Sequence, residues 1–305
     1  MTPPLLQLEL PRSLFRDLQV EPEEARSILR PQKDERYGFG FALSPYRGCE
    51  HGCRYCYVRD YPQTLPGEKG APVSRDAWGT WAVPKLNAPE LLWNQRHRLH
   101  GQTVFLASAT DPYQPLEREF RLTRACLEVL TKCPTTRVIV HTRSPLILQD
   151  LELLKLFGSR LSVGFSIPTD DDTVRQVVEP RSPPIPSRWA AMERLAKGGI
   201  EVKVAVAPLM PVHNPQAFAR RAKDSGASGA WVGGLRLLKD DAFYEVLARN
   251  DWLFILDPDY AGEVEAVFQA AFPRTRSRKG GMARPVAPVH AAPFTVQRSL
   301  FECMG

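Results

Sequence analysis

SPYRGCEHGCRYCYVRD, running from Ser44 to Asp60, sets Cys49, Cys53 and Cys56 in a C-x3-C-x2-C spacing. Half of the chain's six cysteines therefore fall within eight residues. Three thiolates on one tight loop can converge on a single small inorganic centre. Each iron of a [4Fe–4S] cluster takes an external ligand, usually a thiolate, so three cysteines leave one iron open to a substrate or cofactor. Gly48 and Gly52 stand immediately before Cys49 and Cys53, where positive φ and close backbone approach to a cluster come without steric cost. Tyr55 and Tyr57 flank Cys56 and are positioned to cover the centre and limit water. Two other readings use the same residues: a Cys3His zinc site with His51 as fourth ligand, and three unbridged core cysteines that cluster by chance. Structural zinc sites usually pair C-x2-C with a second, distant ligand pair, and no later Cys or His pair here has matching spacing.

Upstream of the cysteines, GFGFALSPY (Gly38 to Tyr46) alternates glycine with apolar residues and predicts a first strand. Downstream, strand-like runs alternate with helical ones. Strands are expected at Thr103–Ser108, Arg137–Ser144, Arg160–Pro168, Ile200–Pro211 and Gly229–Arg236. Helices are expected at Ala88–His100, Arg121–Lys132, Pro145–Phe157, Ser187–Lys197, Pro215–Ser225 and Asp240–Arg249. Six β-then-α units predict parallel strands with right-handed crossovers. Closing a barrel takes eight units, so the expected fold is α/β, a partial (β/α)6 TIM-like barrel. The stretch Tyr61–Pro84, with four prolines, reads as an irregular excursion. Residues 1–34 read as an N-terminal extension with a helix near Pro22–Leu29, residues 35–272 as the barrel domain, and residues 273–305 as a basic, flexible tail.

Bulk properties narrow the function classes. At 305 residues and 43% apolar, the chain can bury a sizeable core. It has no apolar run of about 18 residues, as a membrane-spanning helix requires. MTPPLLQLELPRSLF lacks a basic segment followed by an apolar core, so no signal peptide is expected. The irregular cysteine spacing does not form a secreted disulfide framework, and exposed cluster thiolates suit a reducing cytoplasm. The net charge is +6, of which five charges arise from Arg274 onward, where six Arg and Lys face one Glu. The body is close to neutral, and any nucleic-acid contact made through bulk charge would fall to the tail.

Polar residues cluster at the expected C-terminal strand ends, where this architecture holds ligands: Ser108, Thr110 and Asp111; then His141, Thr142, Arg143 and Ser144; then Ser166. Each also has a structural reading. Asp111-Pro112 can serve as a turn and helix-start device, and Thr142-Arg143-Ser144 can satisfy loop backbone. Glu179, Arg181 and Arg188 either orient a substrate or form solvated ion pairs. Cys126 and Cys133, seven apart, share one helix face and are expected in the core.

The cysteine loop resembles the cluster motif of the radical S-adenosylmethionine (radical SAM) enzymes. The pattern P-Y-R-G-C-x-H-G-C-x-Y-C-Y, Pro45 to Tyr57, is similar to the spore photoproduct lyase-like branch, a set described as photolyase-like DNA repair proteins. The resemblance implies a partial barrel, a [4Fe–4S] cluster on Cys49, Cys53 and Cys56, and S-adenosyl-L-methionine chelated to the open iron. An electron, supplied by a flavodoxin- or ferredoxin-like donor, would cleave S-adenosylmethionine to methionine and a 5′-deoxyadenosyl radical that abstracts hydrogen from substrate. It further implies that Thr110 and Asp111 meet the methionyl amino group, Arg143 the carboxylate, Ser166 the ribose region, and the backbone of Ala207 and Tyr57 the adenine. A DNA lesion is the substrate class it points to; RNA, peptide and small-molecule substrates are the other classes. One departure stands out: spore photoproduct lyases carry a cysteine at the end of strand two that returns a hydrogen atom, and Ser108 occupies that place. Cys303 in the tail is the other candidate thiol for that role. A reading of a different class is a zinc-stabilised nucleic-acid-binding protein without catalysis, using the tail for phosphate contacts.

Overall fold

A computed structural model describes residues 18–34, 37–61, 74–235, 237 and 242–273. The elements, in chain order, begin with the strands β1 (Gln19–Val20), β2 (Leu29–Pro31), β3 (Phe41–Leu43), β4 (Tyr46–Gly48) and β5 (Trp81–Pro84). There follow α1 (Ala88–Gln95), β6 (Thr103–Leu106), α2 (Glu117–Phe120), α3 (Leu122–Thr131), β7 (Arg137–Thr142), α4 (Leu151–Lys155) and β8 (Leu161–Ser166). The rest are α5 (Asp172–Val178), α6 (Ile185–Lys197), β9 (Glu201–Val206), α7 (Pro215–Asp224), β10 (Gly229–Val232), α8 (Ala242–Arg249) and α9 (Pro258–Ala271).

The main sheet has the order β10-β9-β8-β7-β6-β3-β2. Its six strands from β3 to β10 are parallel, and β2 adds an antiparallel strand at one edge. Six parallel strands in sequential order, with no pairing between β10 and β2 or β3 among the described residues, are the expected (β/α)6 arrangement without closure. Period-two alternation assigns the two faces. Val104, Leu106, Val138, Val140, Val163, Phe165, Val202, Val204 and Val206 are buried in one core with Leu92, Leu127, Leu154, Met192, Leu195, Phe218 and Phe268 from the helices. The alternate residues Phe105, His141, Gly164, Ser166, Ala205 and Trp231 lie outside that core and occupy the other face.

The region expected to be irregular ends, at Trp81–Pro84, in the middle strand of a second sheet, while residues 62–73 lie outside the described ones. β5 pairs with β1 in parallel and with β4 antiparallel, in the order β1-β5-β4. Every residue of β5 is buried. The helix expected at Pro22–Leu29 does not form: Glu23 bridges to Lys85, and Leu29 starts β2, paired with Leu43. Residues 18–34 thus contribute a strand to each sheet. The predicted first strand also divides, Phe41–Leu43 joining the main sheet and Tyr46–Gly48 the small one. The two glycines of the cysteine loop do take positive φ, +70° at Gly48 and +52° at Gly52. Their close neighbours belong to the small sheet and the turn before it. A Cβ at Gly48 would lie 2.5 Å from Trp81 O, and one at Gly52 would lie 3.0 Å from Gly79 Cα. The basic tail and Cys303 lie outside the described residues.

Two buried carboxyls tie the small sheet and the cysteine loop to the barrel. Glu117 takes hydrogen bonds from the Tyr46 hydroxyl and from the amides of Thr123 and Arg124, at 3.0 Å each for the amides. Glu50 accepts from Leu116 N at 2.6 Å. Burial pushes both carboxyls from the ordinary 4.5 up to about 7.

Two measurements check this. Gly48→Ala, forced into Trp81 at a positive φ, should destabilise the chain by about 1–3 kcal/mol in urea unfolding. The unfolded chain releases the Glu50 and Glu117 protons near pH 4.5 and the folded chain near pH 7. Their contribution is therefore intact below about 4.5 and falls as pH rises toward about 7. Glu117→Gln should flatten that part of the stability–pH curve, leaving the Glu50 share.

Candidate functional site

Cys49 follows β4 directly, so the small sheet delivers the cysteine loop to the C-terminal ends of the parallel strands. The loop is clamped from two sides. Glu50 N donates to Gln114 Oε1 at 2.9 Å, and Arg54 N donates to Val178 O, the last residue of α5, at 3.0 Å. Cys49 and Cys53 are buried, Cys56 is half-buried, and none of the three is bridged. Burial pushes all three thiols above their ordinary range, Cys56 to about 12. Such thiols stay protonated until a strongly bound cation displaces the proton, as a coordinating metal does. Among the described residues no three His, Cys, Asp or Glu side chains converge as ligands of one ion. A cluster makes a different demand, since its cysteines bind separate irons. His51, the fourth ligand in the zinc reading, is buried beside Asp111, with Nε2 3.4 Å from Oδ2. The donor set fits a cluster.

Arg143, just past β7, is the residue around which the rest of the site assembles. Its Nη1 donates to Cys53 Sγ at 3.0 Å, to the Tyr55 hydroxyl at 2.9 Å and to Glu179 Oε1. Glu179 is fully buried at the C-cap of α5. It also accepts from the Tyr55 hydroxyl and, through Oε2, from Arg188 Nη2. Arg188, equally buried, reaches on to Pro183 O at 2.8 Å and to Ser166 O at 3.1 Å. Burial opposes the Glu179 charge, yet Arg143 and Arg188 together hold its carboxyl below the usual range. The charges of Glu179 and Arg188 are thus not solvated. They form a buried chain from a cysteine sulfur to the end of β8. Arg181 donates instead to Gly79 O.

Asp111 links neighbouring strand ends. Its Oδ1 accepts from Tyr113 N at 2.9 Å and Thr142 Oγ1 at 2.6 Å, and its Oδ2 accepts from Arg143 N at 2.9 Å. Burial raises its pKa, but His51, Arg143 and Thr142 outweigh that and hold the carboxyl well below the usual range. The turn reading of Asp111 therefore describes real bonds, which extend to the β7 end. Thr110 Oγ1, Ser166 Oγ and His141 Nε2 are buried polar atoms with no hydrogen-bond partner in the protein. Such atoms usually mark a site completed by another group. Tyr57 is 40% exposed and donates from its hydroxyl to Ser108 O at 3.0 Å. Ala207, half-buried, lies just beyond β9, whose Ala205 pairs with Ser166. Cys126 is in the core and Cys133 is also buried, its Sγ 3.7 Å from Val129 O.

No helix is predicted from the sequence over Asp172–Val178, and without it nothing brings Tyr55, Glu179 and Arg188 together. Its signals were present: Asp171 caps the helix by accepting from Thr173 N at 2.7 Å, and Val174 and Val178 bury at i, i+4 spacing.

Comparison with known proteins supports the assignment of the loop. Residues 43–224 match the family model described as the radical SAM superfamily. An uncharacterized protein of Methanocaldococcus jannaschii is 31% identical over 188 residues, which is 62% of this chain and 66% of the relative. The chain thus spans slightly under two thirds of that relative's length. A spore photoproduct lyase complexed with dinucleoside spore photoproduct superposes with a TM-score of 0.55 at 15% identity, covering 85% of this chain and 68% of the other. A variant of spore photoproduct lyase gives 0.60 at 15% identity, covering 83% and 78%. These two likenesses establish a shared fold.

Arg188→Ala would remove one of the two cations that neutralise a fully buried Glu179. The expected loss is about 3–5 kcal/mol in denaturant unfolding, against under about 1 kcal/mol for Arg249→Ala, whose exposed pair with Glu245 spans 3.9 Å.

Proposed function

The chain belongs to the radical SAM superfamily, and on that premise we propose that it is an enzyme that cleaves S-adenosylmethionine reductively at a [4Fe–4S] cluster held by Cys49, Cys53 and Cys56. When bound, these groups supply one-electron cleavage to methionine and a hydrogen-abstracting 5′-deoxyadenosyl radical, with an external electron donor. The observation that carries the reading is the presence of three unbridged cysteines on one clamped loop at the C-terminal ends of a parallel sheet.

The chain's own residues position and shield. Thr110 and Ser166 bring unpartnered hydroxyls to the strand ends and would accept the amino and ribose groups. Arg143, whose Nη1 is held by Cys53, Tyr55 and Glu179, would offer its remaining guanidinium N–H groups to the methionyl carboxylate, and the backbone at Ala207 and Tyr57 would meet the adenine. Asp111 supports this set by fixing Thr142 and the Arg143 backbone. The substrate would lie against the sheet face that carries Phe105 and His141. Burial pushes the His141 imidazole down to about 4, so it stays neutral at pH 7.

A DNA lesion is the substrate class we place first. The Pro45–Tyr57 pattern and the fold shared with a lyase seen with a dinucleoside photoproduct support it. Ser108 has no thiol to return a hydrogen atom, so the lyase's own reaction would need another donor, such as Cys303, and we place a different reaction on the lesion first. No described helix is long and apolar enough to cross a membrane.

Anaerobic reconstitution should give a brown protein with about four irons and four sulfides per chain. With dithionite and S-adenosylmethionine it should release 5′-deoxyadenosine and methionine, and Cys53→Ala should lose both the iron and the cleavage. Wild-type protein that holds no cluster, or a Cys53→Ala variant that still cleaves, would overturn the assignment. Mass spectrometry of reactions with damaged DNA and damaged RNA then tests the substrate. A cofactor-dependent product from RNA alone would displace the DNA reading.

A further inference from the structure

Cys53 differs from the other two cysteines of the loop. Its sulfur has a guanidinium donor, Arg143 Nη1, at 3.0 Å, and the Ser182 hydroxyl at 3.9 Å. The donor is not a mobile surface arginine. Its side chain is 16% exposed, its backbone amide is held by Asp111, and the same Nη1 is shared with Tyr55 and Glu179. Glu179 is in turn fixed by Arg188, whose side chain is fully buried and anchored to two backbone carbonyls. Every bond in this chain limits where the guanidinium can point. The charged groups around the Cys53 sulfur are therefore Arg143 and, behind it, Asp111, Glu179 and Arg188.

A charged donor aimed at a thiolate makes a stronger bond than one aimed at a thiol. Hydrogen bonds to ligand sulfurs and nearby charge are two of the levers that set an iron–sulfur potential. Resting on the reading that Cys53 is a cluster ligand, we propose that Arg143 donates a hydrogen bond to the Cys53 sulfur in the loaded protein, that Glu179 aims it, and that the pair tunes the potential at which the cluster accepts its electron. Reduction adds one electron from a one-electron donor, a flavodoxin-like protein in the cell or dithionite in the test. No bond forms or breaks in that step and no proton moves. The extra negative charge is spread partly onto the ligand sulfurs, so a positive donor beside Cys53 favours the reduced state. The negative Glu179, on the far side of the same guanidinium, offsets part of that effect. The two residues thus act with opposite signs, which separates tuning from general damage to the site.

The test is a redox titration followed by electron paramagnetic resonance on anaerobically reconstituted full chain, without S-adenosylmethionine, with iron and sulfide counted for each variant. Arg143→Met should lower the midpoint potential, weakening electron affinity about tenfold or more, or about 59 mV for one electron. Arg143→Lys should fall between Met and wild type, since it keeps the charge but loses the planar fork. Glu179→Gln, which removes a negative charge and keeps an acceptor oxygen for Arg143, should raise the potential. Should Arg143→Met not fold, Arg143→Gln carries the same expected fall. A fully loaded Arg143→Met or Arg143→Gln at the wild-type potential would overturn the proposal, as would a Glu179→Gln potential that falls. Failure of the wild type to take up iron would instead sink the cluster assignment itself.

Discussion

One carboxylate shared by two guanidiniums in a fully buried setting is the constraint on which the site depends. An isolated charge in such surroundings is prohibitively expensive, so Glu179 is ionised there only because Arg143 and Arg188 meet it from two sides. Each arginine also reaches other acceptors. Arg143 shares the same Nη1 with a cysteine sulfur and a tyrosine hydroxyl, and Arg188 sends its other N–H groups to backbone carbonyls, one of them at the end of β8. The cysteine loop, the loop after β7, the α5 cap and the β8 terminus thereby share one electrostatic balance. None of the four can shift far without stranding a charge.

The small sheet supplies the mechanical counterpart. β4 is only three residues long, yet it runs straight into Cys49 and is pinned by Tyr46 to Glu117 and by Gly48 against Trp81. Asp111 does similar work between the strand ends, joining the turn after β6 to Thr142 and Arg143. Both devices hold a polar loop in place with hydrogen bonds and close contacts rather than with a large apolar area.

Much of the fold was legible because the parallel strands are apolar runs bounded by turn residues, Val-rich in β7 and β9, and the helices between them carry apolar stripes. The Val202, Val204, Val206 alternation is the clearest case. The cysteine loop was legible from spacing alone. What escaped notice were short or mixed elements whose pairing is set by tertiary contact. Trp81–Pro84 contains a proline and lies in a proline-rich stretch, so nothing local marks it as the middle strand of a sheet. Gln19–Val20 is too short for any period to show. The helix Pro258–Ala271 did leave a trace, with Asp257 capping and Tyr260, Val264 and Phe268 four apart. The burial of Glu179 was the part least legible, since charge in a polar stretch reads as solvated until the preceding helix places it in the interior. The glycines before the cysteines were correctly matched to positive φ, but their close contacts are with Trp81 and Gly79.

The alternation along β8 has a further bearing on how this chain can vary. Val163 and Phe165 face the helices while Gly164 and Ser166 face the other way, in register with His141 and Ala205. Insertion or deletion of a single residue within that strand would exchange the two sets, carrying an aromatic ring onto the face opposite the helices and a hydroxyl into the greasy layer. A one-residue change of length inside β8 is therefore far more disruptive than a replacement of similar size, whereas the connecting loops carry no such register.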